Sequence, residues 1–345
     1  GFRRDDGSTL APFGEAQPVT SHNIQTYTFS AAISNFPTPA LSKANKNYLA
    51  GIREIGVRNE YIDGKRAQRL LLHSIEFEGP YYESWPPKTH KNIFIESTNK
   101  KNKKAYAAQI IKNFAGKAYR RPPTANELDL LNNVWERSYR ESKNFNSSVK
   151  DALLVVLTSP QFLFIIEDSK SKEMEALTEH ELASKLSYFL WNSAPDDKLA
   201  KMAAGKLISK DIDKSIDMMI KDDKFMNFMS NFTRQWLNLE KFDTVEVNRQ
   251  KYSKLSTRVK RHLKKEPVLF MNFLMQHNLP LKNIIDSDFT IANDVVSSYY
   301  GYSKGTDNGL TFRQIKHEDS ARGGIMAQAG ILAGLSDGSE SNPVK

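Results

Sequence analysis

The residues best suited to chemistry lie in "DSDFTIAND", where Asp286 and Asp288 stand two apart and Asn293 and Asp294 follow. Hard cations want several oxygen ligands, so Asp286, Asp288 and Asn293 form a candidate calcium set. The stretch lacks the mid-loop Gly and terminal Glu of an EF-hand, and Asx turns or helix capping explain the same residues at lower cost. A second group is "EGPYYESWPP". Its Tyr81, Tyr82 and Trp85 offer faces that stack on the C–H surface of a sugar ring, or that cement two domains; the second role is the more economical. His73 falls on the apolar side of an alternating run and reads as a core histidine. His180 stands between Glu179 and Glu181 with no nucleophile at usable spacing. His262 and His277 are too far apart on one helix to share a metal. Arg234, beside Gln235 and Trp236, reads as half of a structural ion pair. The GxSxG elbow, the P-loop, HExxH and the Rossmann fingerprint are all missing.

The elements that must position these residues change character along the chain. Up to about residue 95 the pattern is β: "NIQTYTFSAAIS", "IREIGVRNEY" and "RLLLHSIEFEG" carry strand-type residues or alternate, separated by Gly, Pro and Asn. Leu71, His73, Ile75 and Phe77 share one face. From Ala105 the period becomes 3.6. Helices are expected at 105–120, after the Thr124–Glu127 capping box, from Ser148 to Pro160, at 177–191 after the Thr178–Glu181 box, and at 195–204, 211–220, 222–239 and 256–276, with a short one near 291–300. Within "LSYFLWNSAPDDKL", Leu186, Phe189 and Leu190 read as a buried seam, and Trp236 also reads as buried. Ile325, Met326, Ile331 and Leu332 are expected to form one helix face, with residues 336–345 loosely held.

The expected fold is thus α+β and multidomain. A β-sandwich-like module covers 1–95, a linker 96–104, a first helical module 105–170, a central helical module 171–305, and the start of a third module 306–345. The chain has 345 residues, no cysteine and a formal net charge of +9. Absence of cysteine excludes disulfides, thiolate-ligated zinc, iron–sulfur clusters and covalent c-type haem within these residues. The basic clusters "NKKNKK" and "RVKRHLKKE" read as a solvated linker and one exposed helix face, and no nucleic-acid module accompanies them. No apolar run reaches the roughly 20 residues of a membrane span. With Gly1 first and "SNPVK" last, the sequence is expected to be a piece of a longer polypeptide.

Five ordered blocks carry a resemblance: "KNFAGKAYRRPPTANEL", "LTEHELASKLSYFLWNSAPDDKL", "RQWLNL", "DSDFTIANDVVSSYYG" and "RGGIMAQAGILAGLSDGSESNPVK". The series resembles the large multidomain proteins of planctomycetes and related bacteria that carry cytochrome-c-like modules around domains of unknown function, the PSD/PSCyt modules. The resemblance implies export to the periplasm or beyond. It also implies c-type haem in the parent but none in this stretch, and a non-haem scaffold role in redox chemistry linked to polysaccharide or sugar metabolism. The implied partners are other modules of the parent chain and polysaccharide. One departure is local: Glu340, Ser341 and Asn342 stand before Pro343, where the family commonly has Arg before Ser-Pro-Val. Two other functions stay open from the residues alone, a carbohydrate-binding or cell-surface protein without catalysis, and a hydrolase or lyase with an acid/histidine site assembled only in three dimensions.

Overall fold

A computed structural model of the chain describes residues 2–4, 14, 16–19, 21–31, 52–57, 69–79, 81–167, 174–248, 250–302, 309–317 and 322–340. The chain divides into two compact units, Tyr81–Ser230 and a second made of Gly1–Pro80 with Asn231–Lys345.

The Tyr81–Ser230 unit is helical throughout. After the short α1 (Lys88–Ile93), Asn102 caps α2 (Lys103–Ala118), and Thr124 and Glu127 form both halves of the box that starts α3 (Ala125–Ser142). Arg121 donates to the Glu127 carboxylate and, with the Thr124 amide, holds its pKa down at about 2. Lys143, at φ 52°, turns the chain into α4 (Phe145–Thr158). These helices bury Ile110, Ile111, Leu131, Val149 and Val156, with Trp135 stacked on Tyr139 at 5.0 Å. Helix α4 starts a turn earlier than its sequence indicates, because the Asn144 side chain accepts from the Ser147 amide. It is also not buried all round: Leu154 and Leu157 stay exposed, since α2 and α3 pack on its other side. Pro160 ends it and opens α5 (Pro160–Leu163).

Capped by the expected Thr178–Glu181 box, α6 (Glu179–Trp191) is followed by α7 (Asp197–Ala204), α8 (Ile212–Ile220) and α9 (Phe225–Trp236). The buried face of α6 is Ala183, Ser184, Ser187, Leu190 and Trp191. Leu186 is half-buried, and Phe189 is 65% exposed against the sequence expectation. The small residues at 183, 184 and 187 let the helix approach its neighbours closely, which turns Phe189 to the far side, where it meets Phe228 at 5.5 Å. Trp191 is the anchor: its Nε1–H donates to the Met219 carbonyl at 2.9 Å, and the Lys224 ammonium sits 3.9 Å over its ring, held there by Asp196 at 2.6 Å. Leu190 and Trp191 are therefore the buried part of this corner, locked by the Lys224–Asp196 pair, while Phe189 lies outside it.

In the second unit, β1 (Phe2–Arg4) pairs antiparallel with β2 (Ile52–Ile55). Among the described residues of the first 95, this is the one ladder. Residues 69–79 make none, and Leu71, His73, Ile75 and Phe77 are exposed, so His73 is not a core histidine. Alternation creates an apolar face, but a strand also needs a paired edge and a covering layer.

The rest of this unit contains α10 (Lys241–Thr244), the long α11 (Thr257–Gln276), β3 (Phe289–Ala292), α12 (Asp294–Tyr300), β4 (Arg313–Lys316) and α13 (Ala329–Gly334). The remainder is thus not wholly helical: β3 and β4 pair antiparallel from Phe289↔Lys316 to Ala292↔Arg313. The helix expected from 291 begins at Asp294 because the Asn293 side chain caps it. Pro267 lies inside α11 and, lacking an N–H, leaves the Leu263 carbonyl without its helical donor. Gly330 of α13 rests against that carbonyl, where a Cβ would come to 2.8 Å. Trp236 is half-exposed on Phe232, and Arg234 pairs with Glu240. On the tail face Ile325 and Ile331 are buried while Met326 and Leu332 are not. Residues 336–340 are held rather than loose: the Asn248 amide donates to the Gly338 carbonyl, and Tyr252 Oη to that of Ser339. Residues 341–345 lie outside the described residues. No helix among those described is long and apolar enough to cross a membrane.

Candidate functional site

The chemistry of the second unit gathers around Glu266, an acid on α11 that is 1% exposed. It lies three residues after Leu263 and four before Phe270, on the helix face that packs inward. Thr290 Oγ1 of β3 donates to one carboxylate oxygen at 2.7 Å, and Tyr300 Oη at the end of α12 donates to the other at 2.6 Å. Tyr300 Oη in turn accepts from the Ala329 amide at 2.8 Å, one of the donors that the first turn of α13 leaves without a helical partner. One acid therefore ties α11, β3, α12 and α13 together. Burial pushes its pKa up to about 7 against the opposing pull of Tyr300, Thr290 and Arg322. Burial likewise pushes the Tyr300 phenol well above its ordinary value.

A second hydrogen-bonded pair stands alongside. Tyr302 Oη and His317 Nδ1 are 2.8 Å apart, and the Tyr300 and Tyr302 ring centres are separated by 5.5 Å. Arg322 lays its guanidinium over both rings, at 4.6 and 5.8 Å. Its backbone is placed by the following glycines: at Gly324 (φ 60°) a Cβ would stand 2.4 Å from the carbonyl oxygens of Ile284 and Ile285. Only glycine lets "RGG" lie against the "IIDSD" loop.

Two spaces adjoin the cluster. Arg322 and Tyr300 form part of the wall of an open cavity of about 690 Å3, completed by Lys251, Tyr252, Lys254 and Tyr299 among others. On the inner side, a gap of about 10 Å3 is enclosed by Glu266, Tyr302, His317 and Gln328, again with Arg322 and Tyr300. That is room for about one water. Gln328 is 3% exposed, and neither its amide nitrogen nor its oxygen has a hydrogen-bond partner among the described residues.

The residues singled out in the sequence fall elsewhere. Asp286 and Asp288 are exposed, whereas Asn293 is fully buried with its oxygen committed to the Val296 amide and its nitrogen to His262 and Leu310. Strand β3 separates Asp288 from Asn293 by about 16 Å of extended chain. Among the described residues no group of three His, Asp or Glu side chains is placed to hold a metal ion. Tyr81, Tyr82 and Trp85 are all exposed, with Tyr82 and Trp85 edge to face at 5.5 Å. His180 is half-buried, and its neighbour Glu179 accepts from the amides of Ile208 and Ser209, a loop-holding role. Sequence reasoning missed Glu266, Tyr300, Arg322 and Gln328. Only Glu266 left a signal, an acid in register with Leu263 and Phe270 inside a run otherwise read as a solvated basic face.

Helical modules followed by a mixed unit built on a buried acid define a mainly helical, multi-module protein with a ligand-sized cavity. Residues 106–167 match PSD5, a protein of unknown function (DUF1595), and residues 177–302 match PSD4, a protein of unknown function (DUF1592). The chain belongs to these PSD families, in keeping with the cytochrome-c-associated proteins its sequence blocks resemble. No curated protein and no solved structure matches it. Glu266, Thr290, Tyr300 and Tyr302 fall inside the PSD4 stretch, and Arg322 and Gln328 lie beyond it.

Proposed function

We propose that this chain is the non-haem portion of an exported, periplasmic or extracellular, c-type-cytochrome-associated protein, and that its second unit binds a saccharide for chemistry performed by haem elsewhere in the parent. Membership of the PSD families supports the association with cytochrome modules, and a sequence without cysteine offers no thioether attachment point for haem. The module limits proposed, 105–170 and 171–305, follow the change of sequence period, and the matched ranges lie inside them. For residues 1–95 a sandwich remnant is the proposed fold, supported by the β1–β2 ladder.

The observation that carries the saccharide reading is the 690 Å3 cavity walled by Tyr252, Tyr299 and Tyr300. Its size lies within the range of ordinary ligand sites. Aromatic walls pack on pyranose C–H faces, while phenol and Ser253 hydroxyls can meet ring hydroxyls. The cluster beneath holds an acid, tyrosines, a histidine and an arginine, the residue types of acid–base catalysis. Yet the space beside the acid is water-sized, so no sugar ring reaches the Glu266 carboxylate. Binding, not bond cleavage, is the function this geometry favours. Calorimetric titration of the chain with neutral and acidic oligosaccharides tests it: saturable binding that weakens on Tyr252→Ala is expected, and no heat with any saccharide at millimolar concentration would sink the reading.

A second reading rests on the exposed rings of Tyr81, Tyr82 and Trp85, the last 77% exposed. Those faces suit a polysaccharide surface, in which case Trp85→Ala, rather than Tyr252→Ala, is the variant that loses binding.

A further inference from the structure

We infer that the cavity of the second unit is specific for an acidic sugar, with Arg322 as the receptor for its carboxylate or sulfate group and Glu266 as a proton-coupled partner behind it. The inference deepens the saccharide reading and rests on it.

The Arg322 guanidinium is half-buried, spread over the Tyr300 and Tyr302 rings, and makes no hydrogen bond or ion pair among the described residues. Its five donors have a fixed fork geometry that matches a carboxylate or sulfate. Glu266, the buried acid on which Arg322 acts, has oxygens that already accept from Thr290 and Tyr300. Two further cations line the same cavity: Lys254 has no partner among the described residues, and Lys251 reaches Glu340 only at 3.9 Å. Among the described residues no carboxylate is part of the cavity wall. A positive, ring-walled depression with an uncommitted guanidinium calls for a ring-bearing anion. Gln328, a buried amide with both ends unpartnered among the described residues, lines the gap behind Arg322 and costs stability unless a water completes it.

The coupling follows from placement. Arg322 separates the cavity from the gap, so an anion on its outer side and a charged Glu266 on its inner side compete for one guanidinium. Among the described residues, the titratable and charged groups facing that gap besides Glu266 are Tyr300, Tyr302, His317 and Arg322. Of the described acids on the elements packed around α11, Asp294 accepts from the Gly309 amide and Asp243 pairs with Lys264. Because burial already holds Glu266 near pH 7, a bound anion shifts it further toward the protonated form. Affinity for the acid sugar then falls as pH rises from 6 to 8, with proton uptake on binding.

Isothermal titration of the whole chain with tri-galacturonate, its carboxyl-reduced neutral counterpart, and inorganic sulfate separates the possibilities. The inference expects the acid to bind about tenfold or more tightly than the neutral sugar. Arg322→Gln should erase that difference while neutral binding persists, Lys254→Gln should reduce it, and Glu266→Gln should flatten the pH dependence. Equal affinity for acid and neutral sugars overturns the inference and leaves the saccharide reading standing, whereas failure of both sugars to bind overturns both. Sulfate binding as tightly as tri-galacturonate would show a simple anion site and overturn the sugar specificity.

Discussion

Glu266 shares a helix face with Leu263 and Phe270, and its proton is the most informative single atom in the molecule. Its pKa moves from about 4.5 unfolded to about 7 folded. Below pH 4.5 both states hold the proton. Between 4.5 and 7 the unfolded chain releases it and the folded chain keeps it, so stability falls across that window by about 3 kcal/mol and is level above it. Glu266→Gln keeps the shape and removes the titration. Urea unfolding of wild type and variant at pH 4.5 and 7.5 should therefore show wild type losing about 3 kcal/mol relative to the variant, and parallel profiles would refute the raised pKa. At this scale the sequence was a partial guide. Thr124 and Thr178 announced their helices because a cap is a local hydrogen bond, written in adjacent residues. Tyr300, Arg322 and Gln328 meet only through the β3–β4 pairing and the docking of α13, which no spacing records.

The elements are held by caps and by close approaches between backbones. Thr124→Ala removes the side chain that accepts from the Glu127 amide, and should cost about 1 kcal/mol, read as a lowered denaturant midpoint with unchanged slope. Gly330→Ala tests the docking of α13 on α11. Its new Cβ would sit 2.8 Å from the Leu263 carbonyl that Pro267 leaves without a donor. The helix must move, at a cost of about 1–3 kcal/mol, and the pH dependence tied to Glu266 should shift with it because the Ala329 amide holds Tyr300. A fully neutral Gly330→Ala would show that α13 is not anchored there. Helix periods were legible because burial on one face repeats every 3.6 residues. The β readings were weaker guides. Alternation at Leu71–Phe77 predicted a buried face that the described structure leaves open, while β3 escaped notice because "FTIA" is buried on both faces. Phe189 misled for a related reason: helical spacing set it on one face with Leu186 and Leu190, but the small residues on α6 decide which side packs.

For the whole molecule, recognition is proposed to lie in this chain and electron transfer outside it. A longer protein containing this chain, isolated from its host, is expected to show a Soret band that survives acid–acetone extraction of non-covalent haem. The 345 residues expressed alone should carry no covalent haem, having no cysteine to receive it. A colourless parent would remove the cytochrome association and leave only a binding protein. The claim at the centre is that the cavity of the second unit holds an acidic sugar against Arg322. A crystal structure of the chain grown with tri-galacturonate tests it most directly. Sugar density is expected in the 690 Å3 cavity, stacked on Tyr252 or Tyr299 with a carboxylate within about 3 Å of the Arg322 guanidinium. Density lying instead on Tyr81 and Trp85, with the cavity holding solvent alone, would contradict it.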